Sequence, residues 1–295
     1  MNLTSPTQTR ALLAELGFTP SSRHGQNFLV DANVLRLIVE TAGVGPQDVV
    51  LEVGPGLGVL TAELVARAAR VVAVEIDRAL HAHLVQRFGE SARLELIRAN
   101  VLDLPLAELV GSRGVSKVVS NLPYSVGSRV VMELTQLQTP PAEMVLTLQR
   151  EVAERMQARE GTPERGLLSV WVQRAYEVRH VRRVSATCFV PRPKVESAFI
   201  HLVRAEPEGT WDEREARAFR RLTQRAFQQR RKQLGTTFRR PAGDGAAGAA
   251  AGGACEALAA AGIDARRRPE ELSVAEWVGF ARAGAARGAG EGPDE

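Results

Sequence analysis

The chain has 295 residues and a formal net charge of +4, and it is 44% hydrophobic and 24% charged, with a sequence pI near 9.6. That length accommodates one ordinary α/β domain and a smaller second one, and the basic balance suits a polyanionic partner. Cys188 and Cys255 have no metal-ligand spacing, the five histidines are scattered, and no apolar run approaches the length of a bilayer span. A disulfide scaffold is thereby excluded, and the expectation is a cytoplasmic protein with no metal and no membrane association.

Residues 1–22 are expected to form a helical extension with Leu12, Leu13 and Leu16 as its apolar side, leading into a loop at Gln26-Asn27-Phe28 that closes over a ligand. Residues 23–208 alternate buried strands with helices, the strands falling near Val49, Val71, Leu94, Val118, Val145, Val178 and Phe199. This is an α/β pattern, mostly parallel; the last two strands are joined by a Pro-containing loop instead of a long helix, so they are expected to be antiparallel at one edge. Residues 209–281 read as a small basic helical domain, interrupted by a mobile Gly and Ala tract from Pro241 to Gly253. Residues 282–295 read as a disordered tail.

Within the first strand, Val49-Val50-Leu51-Glu52-Val53 runs into Gly54-Pro55-Gly56-Leu57-Gly58, and a helix with Leu60, Leu64 and Val65 on its packing side follows. Strand, glycines and helix in that order form a cofactor turn, but the spacing Gly-x-Gly-x-Gly is not that of a dinucleotide site. The next strand, Arg70 to Val74, ends at Glu75, roughly 20 residues past the first glycine, where a carboxylate meets ribose hydroxyls. The adenosine of S-adenosylmethionine fits this layout better than NAD does.

Further on, Lys117-Val118-Val119-Ser120 leads into Asn121-Leu122-Pro123-Tyr124, just past the C-terminal end of a strand, where open α/β sheets bind ligands. An amide oxygen can accept from the exocyclic amine of a base, a tyrosine ring can stack on it, and proline fixes the backbone between them. A strand-to-helix turn also uses Asn and Pro for conformational reasons alone.

These motifs resemble the ribosomal RNA adenine N6-dimethyltransferases, whose relatives include the erythromycin-resistance methylases. The resemblance extends over residues 20 to 240 and includes His24 to Asp31, Gln149 to Met156 and Phe189 to Ser197. It implies a Rossmann-like, seven-stranded S-adenosylmethionine-dependent methyltransferase sheet. By the same resemblance Asn27, Leu29, Gly54, Gly56, Glu75, Asn100 and Asn121 match cofactor positions, and Phe189 is the second stacking residue, opposite Tyr124. Two departures stand out. Asn100 takes the place of the family's Asp, which weakens cofactor binding by about 1 kcal/mol if a charge-assisted bond becomes neutral; Asp103, three residues on, is an alternative acceptor but is expected to face solvent at a turn. Gly235 follows Leu234 where the family has Asn.

From Arg217 to Arg240 basic residues recur without an acidic one, interleaved with Phe219, Leu222, Ala226 and Phe227 at helical spacing. One face packs and the others carry Arg221, Arg225, Arg230, Arg231 and Lys232 toward phosphates, while Arg192 and Lys194 add charge beside Phe189. The resemblance implies dimethylation of two adjacent adenines near the 3′ end of 16S ribosomal RNA in the immature small subunit, and a monomer is the expected state. Hydrogen bonds from the target amine to the Asn121 side-chain oxygen and the Leu122 carbonyl free the nitrogen lone pair, and Tyr124 and Phe189 hold the base. The competing readings are a large-subunit RNA methylase conferring macrolide resistance, a DNA adenine methylase, and a non-catalytic RNA-binding assembly factor.

Overall fold

The computed structural model describes residues 2–21, 25–89, 91–205, 211–239 and 246–287, so His24, Arg240, the start of the Gly and Ala tract and the end of the expected tail lie outside the described residues. In chain order the helices and strands are α1 (Pro6–Glu15), β1 (Phe28–Leu29), α2 (Ala32–Ala42), β2 (Val49–Val53), α3 (Val59–Arg67), β3 (Arg70–Glu75), α4 (Arg78–Phe88), β4 (Leu94–Arg98) and α5 (Leu106–Arg113). Then come β5 (Lys117–Asn121), α6 (Gly127–Thr135), β6 (Glu143–Gln149), α7 (Arg150–Met156), α8 (Leu167–Ala175), β7 (Tyr176–Val184), β8 (Phe189–Val190) and β9 (Ser197–Arg204). The last helices are α9 (Glu213–Gln228), α10 (Leu234–Thr237), α11 (Ala246–Ala260) and α12 (Val274–Ala285).

Two compact units result, Met1–Ala153 with Ala175–Arg204, and Glu154–Arg174 with Ala205–Glu295. In the first, seven strands pair in the order β4-β3-β2-β5-β6-β9-β7, with β2 to β6 parallel and β9 antiparallel to both its neighbours. Val50, Leu51, Val71, Val72, Ala73, Val118 and Val119 are fully buried, as continuous apolar strands covered by helices on both faces must be. The chain leaves β2 toward β3 and β4 on one side and returns to β5 and β6 on the other, so the sheet reverses direction between β2 and β5, and a crevice opens at the carboxyl ends of those strands. Only Val50↔Lys117 and Leu51↔Val118 pair across that gap. Beyond them the Ser120 hydroxyl bridges, donating to the Val53 carbonyl at 2.6 Å and accepting from its N–H at 3.2 Å. A two-stranded ribbon, β1 with β8, was not foreseen in the sequence.

Helices α2 and α4 start at Asp31 and Asp77, whose side chains accept from the N–H groups of the second and third helical residues and satisfy donors that a helix start leaves open. Helix α1 is shorter than the extension expected, and Leu12 and Leu13 on it are buried against Phe28, Leu57 and Leu80.

In the second unit, α9 buries Ala218, Phe219, Leu222 and Ala226, and Phe227 meets Trp277 of α12 at 5.9 Å. Residues 154–174 had been expected to belong with the sheet. They pack here instead because the buried Arg165 guanidinium donates to the carbonyls of Ala158 and Leu272 and to Gln173. Two other expectations are corrected. The tract taken as a loop to Gly253 is helical from Ala246, since the alanines favour helix more than the few glycines oppose it. The tail expected to begin at 282 is helical through Ala285, where α12 is held by the Ser273 and Glu276 capping box and by buried Trp277 and Phe280.

Candidate active site

The crevice at the switch point is a cavity of about 390 Å³, within the range of small-molecule sites. Asn27, Leu29, Gly54, Gly56, Glu75, Asn100, Asn121, Leu122, Pro123 and Tyr124 all line it, so segments far apart in the sequence converge on one space.

Gly54, Gly56 and Gly58 have φ of 70°, 58° and 77°, the left-handed region that glycine alone enters freely. Glycines in a cofactor turn let a ligand approach the backbone closely. In the structure their small size admits the protein itself: a Cβ would lie 2.6 Å from Pro123 at Gly54 and 2.9 Å from Phe28 at Gly56. The glycine turn is thus locked against the loop after β5 and against the first residue of β1.

Glu75, at the end of β3, is 3% exposed. Its carboxylate accepts from the N–H of Gly56 at 3.1 Å and of Asp77 at 2.9 Å, and each oxygen keeps a lone pair for a ligand hydroxyl. Burial pushes its pKa up, against the pull of those N–H groups. Asn100 uses its side-chain oxygen to cap the turn that follows, accepting from Leu102 N–H at 3.2 Å. Asp103 is exposed and does not line the cavity, so it does not replace the missing charge. Ile76 is 48% exposed and forms part of the wall with Leu80, Val101 and Leu102, leaving an apolar slot beside Glu75.

Across the cavity, the Asn121 amide is held at both ends. Its nitrogen donates to the Asn27 carbonyl at 3.0 Å, and its oxygen accepts from the Thr147 hydroxyl at 2.5 Å. Leu122 is 1% exposed, and its N–H donates to the Thr147 carbonyl at 2.9 Å. The Tyr124 hydroxyl shares a short hydrogen bond with Ser197, which fixes the ring; burial raises its pKa, opposed by that bond.

Phe189 is corrected. It is 1% exposed and sits in the core with Leu29, Leu35 and Ile38, paired across the ribbon with Leu29, and it is absent from the cavity lining. In this structure the ring presents no exposed face to the cavity. Two of the expected phosphate contacts also have work inside the second unit. Arg225 donates to the Thr237 carbonyl and lies over Phe238, and Arg230 donates to the Pro163 carbonyl at 2.5 Å. Arg192, Lys194, Arg231 and Lys232 are exposed and Arg221 is half-buried. Gly235 allows close packing, since a Cβ there would lie 3.0 Å from Ala265.

Sequence reading passed over Glu52, Thr147 and Ser120. A carboxylate inside the apolar run Val49 to Val53 was the available signal for the first; a threonine or serine in a buried strand carries none. Glu52 is 1% exposed and lines the cavity, and one of its oxygens has no hydrogen-bond partner. Burial, with the Glu75 charge adding to it against the nearby Thr61 hydroxyl, pushes its pKa up to about 8. The Glu75 carboxylate and the Asn121 oxygen make the cavity wall an acceptor for hydroxyl and amine groups, and the Glu52 carboxyl, protonated below about pH 8, can donate as well as accept. Among the described residues no group of three or more His, Cys, Asp or Glu could hold a metal ion, and no helix is long and apolar enough to cross a membrane.

The family model described as ribosomal RNA adenine dimethylase matches residues 17–268. The ribosomal RNA small subunit methyltransferase A of Moorella thermoacetica is 40% identical over 95% of this chain and 98% of its own length. That of Opitutus terrae is 42% identical over 92% and 96%. In fold, the chain is similar to a dimethyladenosine transferase from Plasmodium falciparum, with a TM-score of 0.69 and 22% identity over 85% of this chain and 95% of that one. On the extent of the family match and of these identities, this chain belongs to the ribosomal RNA adenine dimethylase family.

Proposed function

We propose that this protein transfers methyl groups from S-adenosylmethionine to the N6 atoms of two adjacent adenines near the 3′ end of 16S ribosomal RNA, acting as a cytoplasmic monomer on the immature small subunit. The observation that carries the reading is the Asn121 amide, whose oxygen is held on the wall of the cavity beside the Tyr124 ring. The lining suits the cofactor: Ile76, Leu80, Val101 and Leu102 form a slot for a flat base, Glu75 accepts from a ribose diol, and Asn100 offers its amide to the base edge. Gly54, Gly56, Asn27 and Leu29 complete the holding surface. When bound, the cofactor supplies an electrophilic methyl group on a sulfonium.

The chain's part is to make a poor nucleophile react. The N6 lone pair of adenine is delocalised into its ring, and hydrogen bonds from the amine to the Asn121 oxygen and the Leu122 carbonyl favour a pyramidal nitrogen. Those bonds strengthen as the nitrogen gains positive charge, so they favour the transition state over the ground state. Tyr124 stacks on the extruded base, a contact of roughly 1 to 3 kcal/mol, and Pro123 fixes the turn between acceptor and ring. Exposed Arg192, Lys194, Arg231 and Lys232, with Arg221, meet RNA phosphates. The monomer reading is supported by how few large hydrophobics are exposed among the described residues, Ile76, Val85 and Val195.

The test is methyl transfer with labelled cofactor to immature small subunits and to naked large-subunit RNA, followed by mapping of the modified bases. Label on two adjacent adenines near the small-subunit 3′ end is expected, and label on large-subunit RNA alone would overturn the reading.

A further inference from the structure

The ladder between β5 and β6 places Asn121 opposite Thr147. Thr147 is fully buried and bonds to both residues whose oxygens are assigned to the target amine. Its hydroxyl donates to the Asn121 oxygen at 2.5 Å, and its carbonyl accepts from the Leu122 N–H at 2.9 Å. The remaining anchor of the amide is the Asn27 carbonyl, which accepts from the amide nitrogen at 3.0 Å.

A primary amide rotates about its last side-chain bond over a broad, shallow range. With the nitrogen tied to Asn27 alone, the oxygen would swing through that range; the Thr147 hydroxyl pins it and leaves its second lone pair for the substrate. Resting on the assignment of Asn121 above, we propose that Thr147 is a positioning residue for methyl transfer, which aims the Asn121 oxygen and so governs the second transfer more than the first. The asymmetry follows from counting donors. Unmodified adenine offers two N–H groups to the pair of acceptors, whereas the monomethylated amine has one left, so a misaimed oxygen costs more in the second round.

The experiment is steady-state kinetics and product analysis on Thr147→Val, which keeps the shape and removes the donor, with Thr147→Ser and Thr147→Ala beside it. Thr147→Val is expected to lower kcat about 10-fold, the effect of one aligning hydrogen bond, with KM for cofactor and RNA within about 2-fold of the parent. Monomethyladenine should accumulate relative to dimethyladenine, and Thr147→Ser should restore both rate and product ratio. In an Asn121→Ala background, Thr147→Val should leave the residual turnover unchanged. Should Thr147→Val fail to fold, the same criteria apply to Thr147→Ala. Parental kcat and product ratio in the donorless variants, or a loss that Thr147→Ser shares, overturns the proposal. A further loss in the Asn121→Ala background does the same. Full turnover by Asn121→Ala itself would overturn the assignment of Asn121, and this proposal with it, which separates the two failures.

Discussion

Strands β5 and β6 carry polar side chains at both ends of one ladder, and the two ends are built to opposite rules. At the amino end Lys117 pairs with Glu143, and the ammonium there is matched by carboxylates, although the buried Nδ1 of the neighbouring His201 has no hydrogen-bond partner. The ammonium lies 3.2 Å from Glu143 and 3.5 Å from Asp48 and donates to the carbonyls of Ala42 and Gly43, while Glu143 also meets His201. Burial works against ionised Asp48, but bonds from Gly45 and Ser116 and the Lys117 charge together hold its pKa below the usual value. At the carboxyl end, Asn121 faces Thr147, and polar groups of the cavity wall keep hydrogen-bonding capacity that the protein does not use. Glu52 has an orphan oxygen, and Glu75 keeps lone pairs that the protein leaves open. Internal matching makes a structural polar cluster, and unused hydrogen-bonding capacity on a cavity wall marks the end that waits for a ligand.

The largest way to break this contrast is Asn121→Ala, which should lower kcat by on the order of 10³-fold while the melting temperature and RNA binding persist; single-turnover methylation and calorimetry check both. Glu75→Ala should raise the dissociation constant for S-adenosylmethionine about 10- to 100-fold, as expected for lost bonds to a charged acceptor, measured by isothermal titration. Lys117→Met should do the reverse of Asn121→Ala. Leaving two carboxylates without their cation should cost about 2 to 3 kcal/mol in denaturant unfolding, with kcat unchanged at a temperature where the variant is folded. Equal losses of stability from the Asn121 and Lys117 variants would erase the distinction between the two ends.

The smallest effect is a pH dependence. Folded Glu52 has a pKa raised from 4.5 to about 8, so between those values the native state holds a proton that the unfolded chain releases. Its contribution to stability is present at low pH and is lost as pH rises through about 8. Thermal unfolding of the cofactor-free protein should show Glu52→Gln flattening the decline from about pH 5 to 9 and exceeding the parent in stability above about pH 8.

Much of this was legible along the chain. Apolar runs at Val49, Val71 and Val118 can be satisfied only as strands buried on both faces, and the glycines at 54, 56 and 58 and the Asn-Leu-Pro-Tyr turn mark where two of those strands end. Phe189 was misread because a motif shows which residues are neighbours in sequence, and its burial depends on pairing with Leu29, far away along the chain. Arg225 and Arg230 show a related limit: an arginine looks the same in sequence whether or not it also donates to a carbonyl of its own chain, as both do here. The Gly and Ala tract has the composition of a loop, yet its alanines make it helical from Ala246.

What the amino-acid sequence determined by itself is local: which segments become strands, where backbone can turn only through glycine, and which loop carries an amide beside an aromatic ring. Tertiary structure alone decided which of those groups face one another, placing Thr147 behind Asn121, Ser197 behind Tyr124 and Glu52 in the cavity wall. The physical reason is that hydrogen-bond geometry and desolvation depend on distances across the sheet, and strand order and register set those distances.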